Sequence, residues 1–288
     1  TWYLRYSWIL WDARGERVVF CFIFLFCFFM PKFNNLDLNN WKAIPLNTDS
    51  LRIIPERKKG GKHSNFYHWN FVPQIPNEFI QRYTKKGDWV FDPFLWSATT
   101  AIECEELGRN IVGVDIQLKM VDRAKDLIGD TISSFFLTWD SSSDIVKSQI
   151  QDILKNEGRD SLDLSILHPP YADIIKFSDQ KEDLSNCKSV EDFYTQFWKV
   201  LKNAFELTKK WGYMVIVIWD KYQNGERVPL GFGCMQKAIE IWFKLKSIIV
   251  KNMEGNRGKL WSGWIWRYRA LSSDYFIFKH EYILVFKK

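Results

Sequence analysis

Cysteine is sparse and has no metal-binding spacing: Cys21, Cys27, Cys104, Cys187 and Cys234 include no CxxC pair, and five is an odd count. That excludes a zinc framework and a disulfide-stapled scaffold, so no metal is expected and a reducing, cytoplasmic setting is. Long apolar runs are missing too. The longest, residues 18–30 (VVFCFIFLFCFFM), falls short of the ~20 residues a membrane-spanning helix needs. Glycine is scarce, its 15 residues in a chain of 288 merely equalling the 15 tryptophans, whereas soluble domains average about 7% glycine. Neither charge sign dominates: 40 Lys and Arg against 34 Asp and Glu leave +6, which permits a nucleic-acid partner without demanding one. What is present is 47% hydrophobic and 17% aromatic. Such content excludes a disordered or collagen-like chain and is ample for burying a core.

The N-terminus stands apart. The chain opens on Thr1, the apolar run is preceded by Asp12, Arg14, Glu16 and Arg17, and Pro31-Lys32-Phe33-Asn34 follows Met30 without a small-residue cleavage site. Residues 1–29 read as a translated leader with Met30 as the start of a single domain, 30–288. A short apolar anchor is the rival reading, disfavoured by length, so no membrane partner is expected.

From Met30 onward strand and helix signals alternate. Strands are expected at 88–92, 110–115, 133–138, 161–167 and 213–218, and helices at 99–107, 118–128, 190–208 and 233–243, with two β-rich runs at 275–279 and 281–286. Such βαβα alternation predicts an α/β fold, a mostly parallel sheet with helices on both faces. Ligands in such sheets bind beyond the carboxyl ends of the strands, near the reversal of strand order.

Those ends carry the unusual residues. After the first strand comes Asp92-Pro93-Phe94-Leu95-Trp96-Ser97-Ala98-Thr99-Thr100, a turn into a helix whose N–H groups can approach a ligand. Asp115 ends the second strand, 23 residues after Asp92, where an acidic residue typically accepts from ribose hydroxyls. Asp140 follows the third strand, placed to accept from an adenine amino group. Together they describe a site for an adenosine-containing cofactor. The fourth strand ends in His168-Pro169-Pro170-Tyr171. Two prolines fix the backbone and remove two donors, so carbonyls project as acceptors beside an aromatic ring, an arrangement suited to a planar base bearing an amine.

On these motifs, over roughly residues 63–288, the sequence resembles the S-adenosylmethionine-dependent DNA amino-methyltransferases acting on cytosine N4 or adenine N6. The resemblance implies a Rossmann-like methyltransferase fold with a C-terminal antiparallel strand and target recognition in the C-terminal third. It implies that S-adenosylmethionine lies against Phe71, Asp92, Pro93, Phe94, Trp96, Ser97, Thr99, Thr100, Asp115 and Asp140. A base flipped out of double-stranded DNA would stack on Tyr171, its amine bonded to the Pro169 carbonyl and the His168 side chain, with Pro170 shaping the loop. A restriction endonuclease could accompany such an enzyme. The family usually has Asp, Asn or Ser where this chain has His168. Since that position is neutral here, cytosine N4 is favoured.

The second departure is the glycine shortage itself. The family shows glycine at the Trp96 and Ala98 positions and prefers it at Trp139, and Trp211, Trp219, Trp242 and Trp264 also stand where turns or small residues are expected. One cause would explain a single repeated substitution: UGA codons meaning glycine, written here as tryptophan. UGG codons at 96, 139, 211 and 219 would exclude it, and a degenerate enzyme without cofactor is the alternative. In the C-terminal third, Arg257, Lys259, Arg267 and Arg269 are interleaved with Trp261, Trp264, Trp266 and Tyr268, a basic loop expected to face DNA. His280 and Glu281 read as structural. Competing functions are a tRNA guanine-N2 or protein glutamine methyltransferase, or a non-catalytic DNA-binding remnant.

Overall fold

The computed structural model describes residues 5–11, 17–23, 32–63, 71–171, 175–223, 225–253 and 263–288. The chain divides into two units, Thr1–Phe33 and Asn34–Lys288. In the first, β1 (Arg5–Trp11) pairs antiparallel with β2 (Arg17–Ile23), Arg5 opposite Ile23. Part of the apolar run read as a leader thus lies in β2, and residues 24–31 fall outside the described residues.

The second unit is built on an eight-stranded sheet. Its elements are β3 (Leu51–Arg52), α1 (Gln74–Tyr83), β4 (Trp89–Asp92), α2 (Thr99–Leu107), β5 (Asn110–Asp115), α3 (Leu118–Leu127), β6 (Ser134–Thr138), α4 (Asp144–Asn156) and β7 (Leu162–Leu167). They continue with α5 (Val190–Leu207), β8 (Thr208–Ile218), the small hairpin β9 (Lys221–Gln223) and β10 (Glu226–Val228), α6 (Leu230–Glu240), β11 (Lys244–Asn252), α7 (Gly263–Leu271) and β12 (His280–Lys287). Strand order is β3-β11-β12-β8-β7-β4-β5-β6, with β6, β5, β4, β7 and β8 parallel and β12 antiparallel to both its neighbours. This is the expected Rossmann-like α/β sheet with its antiparallel C-terminal strand.

Alternation along each strand feeds two cores, because successive side chains point to opposite faces. Val90, Ile111, Leu164 and Val215 meet Ile75 and Phe79 of α1, Ala101 and Ile102 of α2, and Val121 and Ala124 of α3. Phe91, Val112 and Ile216 meet Ile150 and Leu154 of α4, Phe193 and Phe197 of α5, and Cys234 and Ala238 of α6. β4 and β7 are buried along their whole length. At the start of β7 the buried Asp163 carboxylate accepts from the Trp89 N–H at 2.8 Å and from Arg159 at 2.9 Å, and it also bonds Lys209. That one side chain ties β4, β7 and β8 together at the end of the sheet away from the strand tips.

Several expectations need correction. The run 275–279 is not a strand: both edges of β12 are taken by β8 and β11, and Lys279 only accepts from the Met253 N–H beyond the end of β11. The helix expected at 233–243 starts three residues earlier, straight after Pro229, and ends at Glu240. Residues 263–271 of the basic loop are helical, while Arg257, Lys259 and Trp261 lie outside the described residues. Helix α4 and strand β11 were not anticipated.

Candidate functional site

The strand order reverses between β4 and β7, so the loops after these two strands open the crevice where ligands bind in such sheets. Asp92 ends β4 and His168 follows β7, which puts the two most unusual sequence motifs side by side. Between them lies a cleft of about 470 Å³, counting its open mouth, walled by Pro93, Phe94 and Trp96 on one side and Asp115 and Asp140 on another, with Pro170 beside them. An adjoining cavity of about 300 Å³ is lined by Trp96, His168, Pro169, Pro170, Tyr171, Ile175 and Phe177. Both figures count space open to solvent, and the room enclosed in either is far below that of a ligand pocket.

The acidic residues are held by backbone donors. Asp115 accepts from the Trp96 N–H and the Gln117 N–H, each at 2.9 Å, and burial raises its carboxyl to about 6 against the opposing pull of those two bonds. Asp92 sits deeper: it accepts from the Phe94 N–H at 3.0 Å, and burial pushes its carboxyl up to about 7. Asp140 turns the chain into α4, accepting from the Ser142 N–H and hydroxyl at 2.9 and 2.6 Å. Each oxygen keeps a second lone pair, so Asp115 and Asp140 can still accept from a ligand in the cleft. Helix α2 starts at the cleft without a side-chain cap, its first N–H groups forming the positive end of a helix.

On the other side, His168 is sandwiched. Its ring stacks on Phe71 at 4.7 Å between centroids, and its Nε2 lies 2.6 Å from the Tyr171 hydroxyl. Burial, with Lys251 adding to it, pushes the imidazole down to about 3, so it is neutral at physiological pH. Among the described residues the buried Nδ1 has no hydrogen-bond partner. If Nε2 carries the proton and donates to Tyr171, Nδ1 is left as a bare acceptor. The His168 carbonyl is already used, accepting from the Trp96 indole N–H at 2.7 Å.

The sequence-derived residues therefore separate into groups. Pro93, Phe94, Trp96, Asp115, Asp140 and Pro170 line the cleft, and His168, Pro169 and Tyr171 line the neighbouring cavity. Ser97, Thr99 and Thr100 are buried in and before the first turn of α2, behind the wall. Phe71 reaches His168 rather than the cleft. Arg267 and Arg269 are exposed on α7, with Arg269 over the Trp266 ring. Missed from sequence were Gln117, Phe177, Glu182 and Asp183, which also line the cleft. Asp183 gave no strand-end signal because it caps a short 3-10 turn, accepting from the Ser185 N–H at 2.8 Å. Away from the cleft, His63, Glu103 and Glu106 have metal-like spacing, but Lys58 sits 2.8 Å from Glu106 and supplies the positive charge.

Type II methyltransferase M.MjaII of Methanocaldococcus jannaschii is 39% identical over 61 residues, 21% of this chain and 12% of that protein. Type II methyltransferase M.BglI of Bacillus subtilis is 24% identical over 140 residues, 48% of this chain and 38% of its own length. These matches span less than two fifths of either relative. Among solved structures, TrmN from Thermus thermophilus aligns over 76% of this chain and 49% of its own, at 15% identity and a TM-score of 0.47. The family model described as DNA methylase matches residues 11–126 and 162–288, taking in both the Asp92 loop and the His168 loop, and the chain thus belongs to the DNA methylase family.

Proposed function

We propose that the protein is an S-adenosylmethionine-dependent DNA amino-methyltransferase, with cytosine N4 favoured over adenine N6 as the acceptor. The observation that carries this reading is the juxtaposition, at one reversal of strand order, of an acid-lined cleft and an apolar pocket floored by His168-Pro169-Pro170-Tyr171. Asp115 and Asp140 suit the ribose hydroxyls and adenine amine of the cofactor, which when bound supplies an electrophilic methyl group. The apolar pocket suits a base taken out of the duplex, excluding water from its amine. There the His168 Nδ1 would accept an amine N–H, drawing the nitrogen lone pair out of conjugation with the ring. Because the imidazole is neutral, it accepts without adding charge, and the preference for cytosine follows from the absence of a carboxylate at that position. Tyr171 is engaged with His168 and tilted against Trp219, so its stacking role requires it to present its free ring face. Arg267 and Arg269, with Arg257 and Lys259, would contact the DNA backbone.

One residue does not fit. Trp96 lines both cavities, and its indole is pinned to the His168 carbonyl. The methyl donor and the amine must meet where these cavities join, and a wall of indole stands there. No reaction step is therefore derived for the site with Trp96 in place.

The reading is tested by incubating the W96G protein with DNA and S-adenosylmethionine and analysing the hydrolysed nucleosides. N4-methyl-2′-deoxycytidine is expected. N6-methyl-2′-deoxyadenosine would move the acceptor to adenine, and methylation of tRNA or protein without methylated DNA would overturn the reading.

A further inference from the structure

The backbone carries information about Trp96 that is independent of any ligand. Among the described residues, four that are not glycine have φ in the left-handed region: Trp96 at 46°, Ala98 at 63°, Trp211 at 70° and Trp242 at 73°. Outside glycine this region is sparsely used, mainly by Asn, Asp and His, and a bulky residue there is a genuine outlier. Tryptophan makes up 15 of 288 residues and fills three of these four positions.

Trp242 has two internal controls. Helix α2 ends at Gly108, φ 70°, with Gly108 N–H donating to the Glu105 carbonyl and Arg109 N–H to the Cys104 carbonyl. After α4, Gly158, φ 69°, donates to Lys155 while Arg159 donates to Leu154. After α6, Trp242 donates to Ile239 while Phe243 donates to Ala238. The three caps share one pair of hydrogen bonds and one backbone geometry, that of the Schellman motif, whose left-handed residue is usually glycine. Two carry glycine. The third carries a tryptophan that is 82% exposed and so gains little packing in return.

Trp211 repeats the pattern in a strand. It lies within β8, its N–H donating to the Lys288 carbonyl at 3.1 Å, and the residue is 59% exposed. Trp96 is the buried member of the set, and its backbone N–H serves Asp115 in the cleft.

We propose that positions 96, 211 and 242 are glycine in the working protein, and that the Trp96 indole in this sequence closes the junction between the acid-lined cleft and the His168 pocket. The second half rests on the cofactor reading above; the first does not. A codon decoded as glycine by the source cell and as tryptophan in this sequence accounts for all three positions. Trp139, Trp219 and Trp264 lack the left-handed backbone, so geometry assigns them no glycine.

Tryptic mass spectrometry of the protein purified from the cells that encode it reads these residues directly. Glycine is expected at 96, 211 and 242, with tryptophan at the fully packed Trp89; tryptophan at any of the three overturns the assignment. In parallel, recombinant protein of this sequence and its W96G variant are titrated with S-adenosylmethionine in a calorimeter. W96G is expected to bind at least tenfold more tightly, and equal measurable affinities would overturn the closure. W242G, placed in both backgrounds, is expected to raise the melting midpoint without changing affinity, which verifies that both proteins are folded. If the native peptides carry glycine and neither folded form binds, the glycine assignment stands while the closure and the cofactor reading both fall.

Discussion

Trp242→Gly offers a test in which backbone strain can be separated from function. The perturbation removes a side chain from the left-handed position that ends α6 and leaves both cap hydrogen bonds in place. A left-handed conformation costs a residue with a Cβ about 1–2 kcal/mol, which glycine avoids. Against that stands the little burial that Trp242 has. With 82% of the residue exposed, about 40 Å² of a ring-bearing side chain leaves water, worth at most ~1 kcal/mol. The unfolded chain already hides about 10–40% of that area, so about 0.7 kcal/mol is a fairer figure. Glycine also has the more flexible unfolded chain, which offsets a further few tenths of a kcal/mol. The expected net gain is about 0.5 kcal/mol, or roughly 1–2 °C in melting midpoint for a domain of this size. The mirror experiment is Gly158→Ala, where φ is 69° and an added Cβ would meet nothing within 4 Å; it isolates strain and should cost about 1 kcal/mol. Urea titrations of both variants should shift the midpoint at unchanged slope. A lower midpoint for Trp242→Gly, or no loss for Gly158→Ala, would refute the strain argument and weaken the case for glycine at all three positions.

Other consequences can be measured at the site itself. Burial holds the Asp92 carboxyl near 7, above its unfolded value, so the ionised form is penalised in the folded state and the penalty grows as pH rises from about 4 to 7. Asp92→Asn should therefore stabilise the protein at pH 8, with the gain fading to nothing near pH 4; a gain independent of pH would count against this account. Asp115→Ala, in the W96G background, should weaken S-adenosylmethionine binding by about 10- to 100-fold through the loss of charge-assisted hydrogen bonds, read by calorimetry. The same affinity should fall as pH drops below about 6, where the Asp115 carboxyl takes up its proton. Arg267→Ala with Arg269→Ala should weaken DNA binding uniformly across sequences and flatten the salt dependence by about one unit of slope per lost phosphate contact.

Legibility in the sequence followed how local the cause was. The strands β4, β5 and β7 announced themselves because each is a short apolar run buried on both faces and ended by a polar residue. Asp92, Asp115 and Asp140 were readable for the same reason: position at a strand tip depends on chain order alone. The left-handed turns could be suspected at Trp96, Trp211 and Trp242 from neighbouring residue types, yet the same signs pointed to Trp139, Trp219 and Trp264, where the backbone is ordinary. Asp183 and Phe177 were out of reach, since they enter the cleft from a segment far along the chain and carry no periodic pattern. The stacking of Phe71 on His168 was not readable, because it brings together the segment before α1 and the loop after β7, nearly a hundred residues apart in the chain.

Asp163 gives the architecture a second, quieter dependency. It stands five positions before His168, about 16 Å along an extended strand, and it touches neither cavity. Yet it is the common anchor of the two strands whose far tips carry Asp92 and His168. Like the foot of a pair of tongs, it sets the spacing of jaws it never meets. Selection on the chemistry would then reach a carboxylate at the opposite end of the sheet, and a change there could loosen the fit between cofactor cleft and base pocket while every residue lining them stayed the same.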